Sequence, residues 1–220
     1  MTRLILLLGA AWLLAACGSG GSPPPDWKTD AADLIERYKQ HALRGENTLA
    51  ERYFQQAIAA TGGAGRLDET ARLWLVHCAT RRAMLIQDNC DTYLALSQAG
   101  ARTDDHTYYR FITLQWEGLD ATRLPAAYAR LPGSAADQRN TQLAAIADPL
   151  SRLLAASLLV LVNPADTHAM SIGVETASER GWRQPLLTLL KLQLSQTSDP
   201  EVQKRLLTRL QLVEQHFSVH

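Results

Sequence analysis

Apolar residues recur along this chain at helical rather than alternating spacing, and the breaks between them carry helix punctuation. Leu34, Ile35, Tyr38 and Ala42 share one face of a helix predicted over 30–44, and Gly45 offers it a left-handed stop. Thr48-Leu49-Ala50-Glu51 reads as a capping box opening the next helix, whose stripe is Leu49, Tyr53, Phe54, Ala57 and Ile58. Gly62-Gly63-Ala64-Gly65 breaks it. From Asp68 to Ile86 the pattern is apolar on most sides, as a central, largely buried helix requires. A shorter helix is expected over 91–99.

Thr103 then opens an aromatic helix carrying Tyr108, Tyr109, Phe111, Ile112, Trp116 and Leu119, and another helix runs from Ser134 to Ala147. Asp148-Pro149, Asn163-Pro164 and Asp199-Pro200 repeat one helix-starting device. The Asx side chain caps free N–H groups, and proline, preset for the first turn, has no N–H to lose. Gly181 and Trp182-Arg183-Gln184-Pro185 separate two further helices, and the last sets Val202, Leu206, Leu210, Val213 and Phe217 on one stripe. The run Leu158-Leu159-Val160-Leu161-Val162 has strand-like composition, but its context favours a buried helix. Short connections make successive helices antiparallel. The expectation is an all-α fold of antiparallel hairpins, either a short α-solenoid or a compact helical array.

One hairpin resembles a tetratricopeptide repeat. Gly45, Ala50, Phe54, Ala57 and Ile58 match its turn glycine and second-helix positions over residues 30–62. Arg37-Tyr38 stands where that family has Leu-Gly, Gly62 stands where it has proline, and no second copy is convincing. The resemblance implies a protein-binding scaffold with a concave face.

The first sixteen residues have a positive start at Arg3 and an apolar stretch too short to span a bilayer, as in a signal peptide. Leu14-Ala15-Ala16-Cys17 resembles the lipobox of bacterial lipoproteins. That resemblance implies a signal peptide over 1–16, acyl chains such as palmitate on Cys17, and, with Gly18 rather than Asp next, sorting to the periplasmic face of the outer membrane. The Gly, Ser and Pro residues after Cys17 read as a tether within 17–29, leaving one all-α domain over 30–220.

Composition narrows the function. Lys+Arg of 22 against Asp+Glu of 22 argues against a nucleic-acid partner, and 46% apolar residues exclude a disordered chain. With Cys17 committed to lipid, Cys78 and Cys90 remain as an even pair for an oxidising compartment. They meet if the chain after the helix doubles back along it; a tight turn into a new helix leaves two unpaired thiols. Their spacing does not suggest a metal site, and the His216/His220 pair reads as fortuitous.

No nucleophile-elbow or zinc-protease motif is present, and no cofactor is expected. The glycines at 62–65 lack the Lys-Ser/Thr pair and preceding strand of a phosphate loop. His77 beside Cys78 reads as core-flanking, because adjacent helical residues diverge by about 100°. The acids Asp104 and Asp105 read as capping the helix at His106, and Arg81-Arg82 as solvated surface. Arg outnumbers Lys 18 to 4, and Arg with aromatics marks interface hot spots. Candidate partner contacts are therefore Tyr108, Trp116, Trp182 and Arg183. The leading expectation is a non-catalytic adaptor: membrane-held through its lipid and bound to an envelope protein. The alternatives are a cell-wall glycan enzyme using Glu117 as acid and a purely structural lipoprotein.

Overall fold

The computed structural model of the protein describes residues 25–102 and 104–215. The lipobox, Cys17, residues 18–24 of the tether, the histidine pair and Phe217 lie outside them. The described residues hold ten α-helices, one 3₁₀ turn (Ala121–Arg123) and no strand.

α1 (Asp26–Arg44) begins four residues before the expected start and stops where Gly45 adopts φ 81°. Gly45 N–H donates to Ala42 O and Glu46 N–H to His41 O, closing the α1 carbonyls in a Schellman turn. Two residues later α2 (Asn47–Gly63) begins, so the hairpin restarts before Thr48 and the predicted capping box does not form. Ala50, Phe54 and Ala57 are buried against α1, as the repeat-like spacing implied.

α3 (Leu67–Ala83) ends three residues before the expected end at Ile86. Leu85 occupies the left-handed stop at φ 60°, with Ile86 N–H on Arg81 O and Leu85 N–H on Arg82 O. This early stop lets residues 84–90 fold back, and Cys78 and Cys90 are disulfide-bonded with Cα atoms 5.4 Å apart. Closing a loop of this size stabilises the fold by about 3 kcal/mol. Arg81 donates to Asp88 at 2.7 Å, and Asp88 also receives Cys90 N–H, so the bridge is buttressed.

α4 (Asp91–Gln98) leads to α5 (His106–Ile112), which ends seven residues before Leu119. Leu114 takes φ 65°, Gln115 N–H caps Arg110 O, and Trp116 is thrown off the helix. Asp104 and Asp105 make no side-chain cap there; they pair with Arg123 and Arg72. α6 (Ala136–Ala144) is shorter at both ends than predicted.

α7 (Pro149–Val162) starts as the Asp-Pro signal requires, with Asp148 accepting Ser151 N–H at 2.7 Å. Every side chain from Leu153 to Val160 is buried, so α7, even more than α3, is the central helix. The Asn163-Pro164 pair starts no helix: Asn163 organises a turn, and Asp166 caps α8 (Thr167–Glu179) instead. Trp182 precedes α9 (Arg183–Gln196), and Asp199 caps α10 (Pro200–Gln215).

The C-terminal helices pack in sequence: α7 on α8, α8 on α9, α9 on α10. The N-terminal hairpin breaks that order, because α3 packs against α7 and α1 against α9. Such contacts between distant elements make a compact array. Two buried polar ties fasten its layers. Ser157 Oγ donates to Ala83 O at 2.8 Å, satisfying a carbonyl at the end of α3 from α7. Arg82, buried rather than solvated, donates through Nε to Ile112 O and closes the end of α5. Tyr38, Phe54, Trp74 and His77 form an aromatic cluster joining α1, α2 and α3. Its burial lowers the His77 pKa from the ordinary value, with the Arg81 charge adding to the shift.

Gly173 of α8 faces both neighbours: a Cβ there would lie 3.0 Å from Leu189 Cδ1 and 3.6 Å from Ala156 Cβ. Gly173→Val is expected to destabilise by about 2–3 kcal/mol through overpacking. Gly62→Ala, with open space around it, should be neutral or stabilising by up to about 1 kcal/mol. Urea denaturation of both variants checks the pair.

Candidate functional site

α1 and α3 run side by side, and the chain that leaves α5 crosses beside them before α7 begins. The cross-over is not flush, and four adjoining cavities follow it. The widest, about 560 Å³, lies between Arg72, Leu75 and Val76 of α3 and the segment carrying Tyr108, Leu124 and Pro125. Val76 and Tyr108 also border the next, of about 220 Å³, whose walls include Ala79, Ala83, Leu150 and Leu154. Lys39, Asp148 and Leu150 pass from it into a third of about 480 Å³, closed by Glu179, Arg180 and Trp182. Arg44 joins that to a fourth of about 290 Å³ at the α1–α2 turn, bordered by Glu46 and Arg183. Shared lining residues make these one groove.

The floor is apolar in the two chambers along α3, the chambers toward Trp182 and Arg183 are lined mostly by polar residues, and several of the rim charges are paired with one another. Arg72 meets Asp105 at 2.9 Å, Arg123 meets Asp104 at 3.8 Å, Lys39 meets Glu36 at 2.6 Å and Arg183 meets Glu46 at 3.7 Å. Glu46 also takes the His41 ring, whose hydrogen bond holds its carboxyl below the usual range. A groove so balanced favours an uncharged or amphipathic occupant over a polyanion.

Tyrosines line the narrow middle. Tyr108 and Tyr128 stack with centroids 6.0 Å apart. Burial pushes Tyr108 well above its ordinary value and Tyr128 up to about 12.

Three of the four residues expected from sequence to touch a partner, Tyr108, Trp182 and Arg183, line this groove. Trp182 also lies 5.9 Å from the Arg180 guanidinium. Trp116 is elsewhere: it stacks on Phe111, its Nε1 donates to Phe111 O at 2.7 Å, and Arg139 covers it at 5.9 Å. Glu117 is exposed in the turn after Trp116, outside the groove. Cys78, Asp88 and Cys90 cluster closely enough to hold a metal, but the two sulfurs are bonded to each other.

Val76, Lys39, Tyr128 and Leu150 were not singled out by sequence reasoning. Val76, Ala79 and Ala83 do share a helical face with Thr80, but periodicity marks a face as apolar without telling whether another element covers it. Among the described residues no helix is long and apolar enough to cross a membrane. No protein-family model, curated protein or solved structure matches this chain.

Because Tyr128 is raised when folded, its contribution to stability is complete below the unfolded value near pH ~10. It is lost as pH rises toward about 12. Tyr128→Phe should flatten this alkaline decline, by on the order of 2 kcal/mol across that window. Stability measured by urea on either side of it, with tyrosinate absorbance followed in parallel, tests the expectation.

Proposed function

We propose that this chain is a lipoprotein held by Cys17 at the periplasmic face of the bacterial outer membrane. There it acts without catalysis, docking a segment of an envelope protein in the α1–α3 groove. The reading is carried by the continuity of that groove: an apolar stretch along α3 leads to a polar, aromatic–arginine end formed by Trp182, Arg180 and Arg183. Aromatic and arginine side chains beside desolvated pockets are the usual anchors of protein interfaces.

Two further observations support export. The lipobox Leu14-Ala15-Ala16-Cys17 stands at the end of a signal-like stretch. The buried Cys78–Cys90 bridge belongs to chemistry that persists in oxidising compartments and is rare in the cytosol. The tetratricopeptide-like α1–α2 hairpin supports a scaffold role, since it forms one wall of the groove.

Leu150 borders two of the cavities and lies in the first turn of α7, where a carboxylate suits the helix dipole. Leu150→Glu gives up a half-buried apolar contact with the core, partly offset by the dipole, so it should cost only about 1–2 kcal/mol and leave the protein folded. Recovery of a crosslinked envelope partner should fall at least about tenfold, the factor that 1.4 kcal/mol represents. Undiminished recovery refutes the groove. Cys17→Ser should release the protein from membranes, and mass spectrometry of the native protein should find acyl chains on the Cys17 residue.

A further inference from the structure

The described body begins at Pro25 and α1, beside the α2–α3 turn. Trp27, in the first turn of α1, lies 5.3 Å from the guanidinium of Arg66, at the α2–α3 turn. Leu67, which follows, is 38% exposed, one of few large apolar side chains so open. Residues 62–66 are all exposed, and Gly62, Gly63 and Gly65 add no side chain that would screen their neighbours. Two of the acids nearby are engaged within the protein: Glu69 accepts Arg66 Nε, and Asp68 accepts Arg102 N–H at 2.8 Å, while Asp26 and Asp30 of α1 are exposed.

We infer that this end, formed by Trp27, Arg66 and Leu67, is a membrane-contacting face that seats on the phospholipid leaflet carrying the acylated Cys17. The inference rests on the acylation proposed above and adds to it an orientation. A tryptophan ring beneath an arginine stem, next to an exposed leucine, has the amphipathic character of side chains that settle at headgroup depth. Engagement of Glu69 and Asp68 within the body lessens the repulsion that free carboxylates would feel from an anionic leaflet. Reach agrees. The eight residues between Cys17 and the body span at most about 28 Å. α1 is itself about 28 Å long, so an anchor at Cys17 keeps the Trp27 end nearer the bilayer than the far end of α1. Arg72, in the N-terminal half of α3, and Asp105, which pairs with it, border the widest cavity. The widest chamber of the groove therefore lies toward the leaflet, which suits a partner segment close to its own membrane anchor.

The test uses the full acylated protein on phosphatidylethanolamine/phosphatidylglycerol vesicles containing lipid brominated near the headgroup end of its chains. Tryptophan emission is expected to be quenched, the quenching to fall at least threefold in Trp27→Phe, and to persist in Trp182→Phe. A Leu67→Cys variant should react at least threefold more slowly with a water-soluble maleimide on vesicles than in detergent-free solution without its lipid. Quenching unaffected by Trp27→Phe, or absent from protein that co-floats with the vesicles, overturns the seated face while leaving the anchor intact. Acyl-free protein that fails to float when isolated from membranes overturns both.

Discussion

The packing of α7 against α3 is the constraint on which the rest of this molecule depends. Eight consecutive buried side chains leave α7 no face for water, so it must be enclosed on every side. α8 supplies one neighbour, α6 another, and α3 the third. The Ser157 hydroxyl on Ala83 O makes the last contact specific, since a buried carbonyl at a helix end costs about 1–3 kcal/mol if left alone. With α3 held there, the α1–α2 hairpin rides on its other side and reaches α9. An array whose two halves were joined only through their connecting chain would leave α7 half exposed.

Two leucines explain where helix boundaries departed from expectation. Leu85 and Leu114 both occupy left-handed stops, and in each the following residue closes the turn on a carbonyl five residues back. Glycine takes this conformation freely, so Gly45, Gly100 and Gly181 announced their stops in advance. A leucine pays strain of roughly 1–2 kcal/mol there. The strain is tolerated because surrounding structure holds each site: the Cys78–Cys90 bridge and Arg81–Asp88 pair after α3, the Trp116 indole and Arg82 guanidinium at the end of α5. These boundaries have functional consequences. The early end of α3 brings the cysteines together, and the early end of α5 sends the following chain across α3 to form a groove wall.

The groove shows how an apolar face can be left partly uncovered without becoming a liability. Its floor is broken into chambers by the Tyr108–Tyr128 pair and by Lys39, and its rims carry carboxylates and cations already engaged with one another. A partner with an apolar stripe can enter without first displacing bound counter-charges, and a polyanion gains little.

Much of the architecture was legible from the chain alone. Helical periodicity, the absence of alternating runs and the Asp-Pro starts at 148 and 199 determine an all-α body, because capping and amphipathicity are local and act within a few residues. The repeat-like packing of Ala50, Phe54 and Ala57 was legible for the same reason. Solvation of Arg82, the roles of Asp104 and Asp105 and the position of Trp116 were decided only by tertiary structure. Each depends on groups that local periodicity does not bring together: Ile112 for Arg82, Arg72 and Arg123 for the two acids, and Arg139 for Trp116. Which apolar face stays open is decided likewise: periodicity tells a side chain to leave water, but only the arrangement of all ten helices determines whether another protein surface is there to receive it.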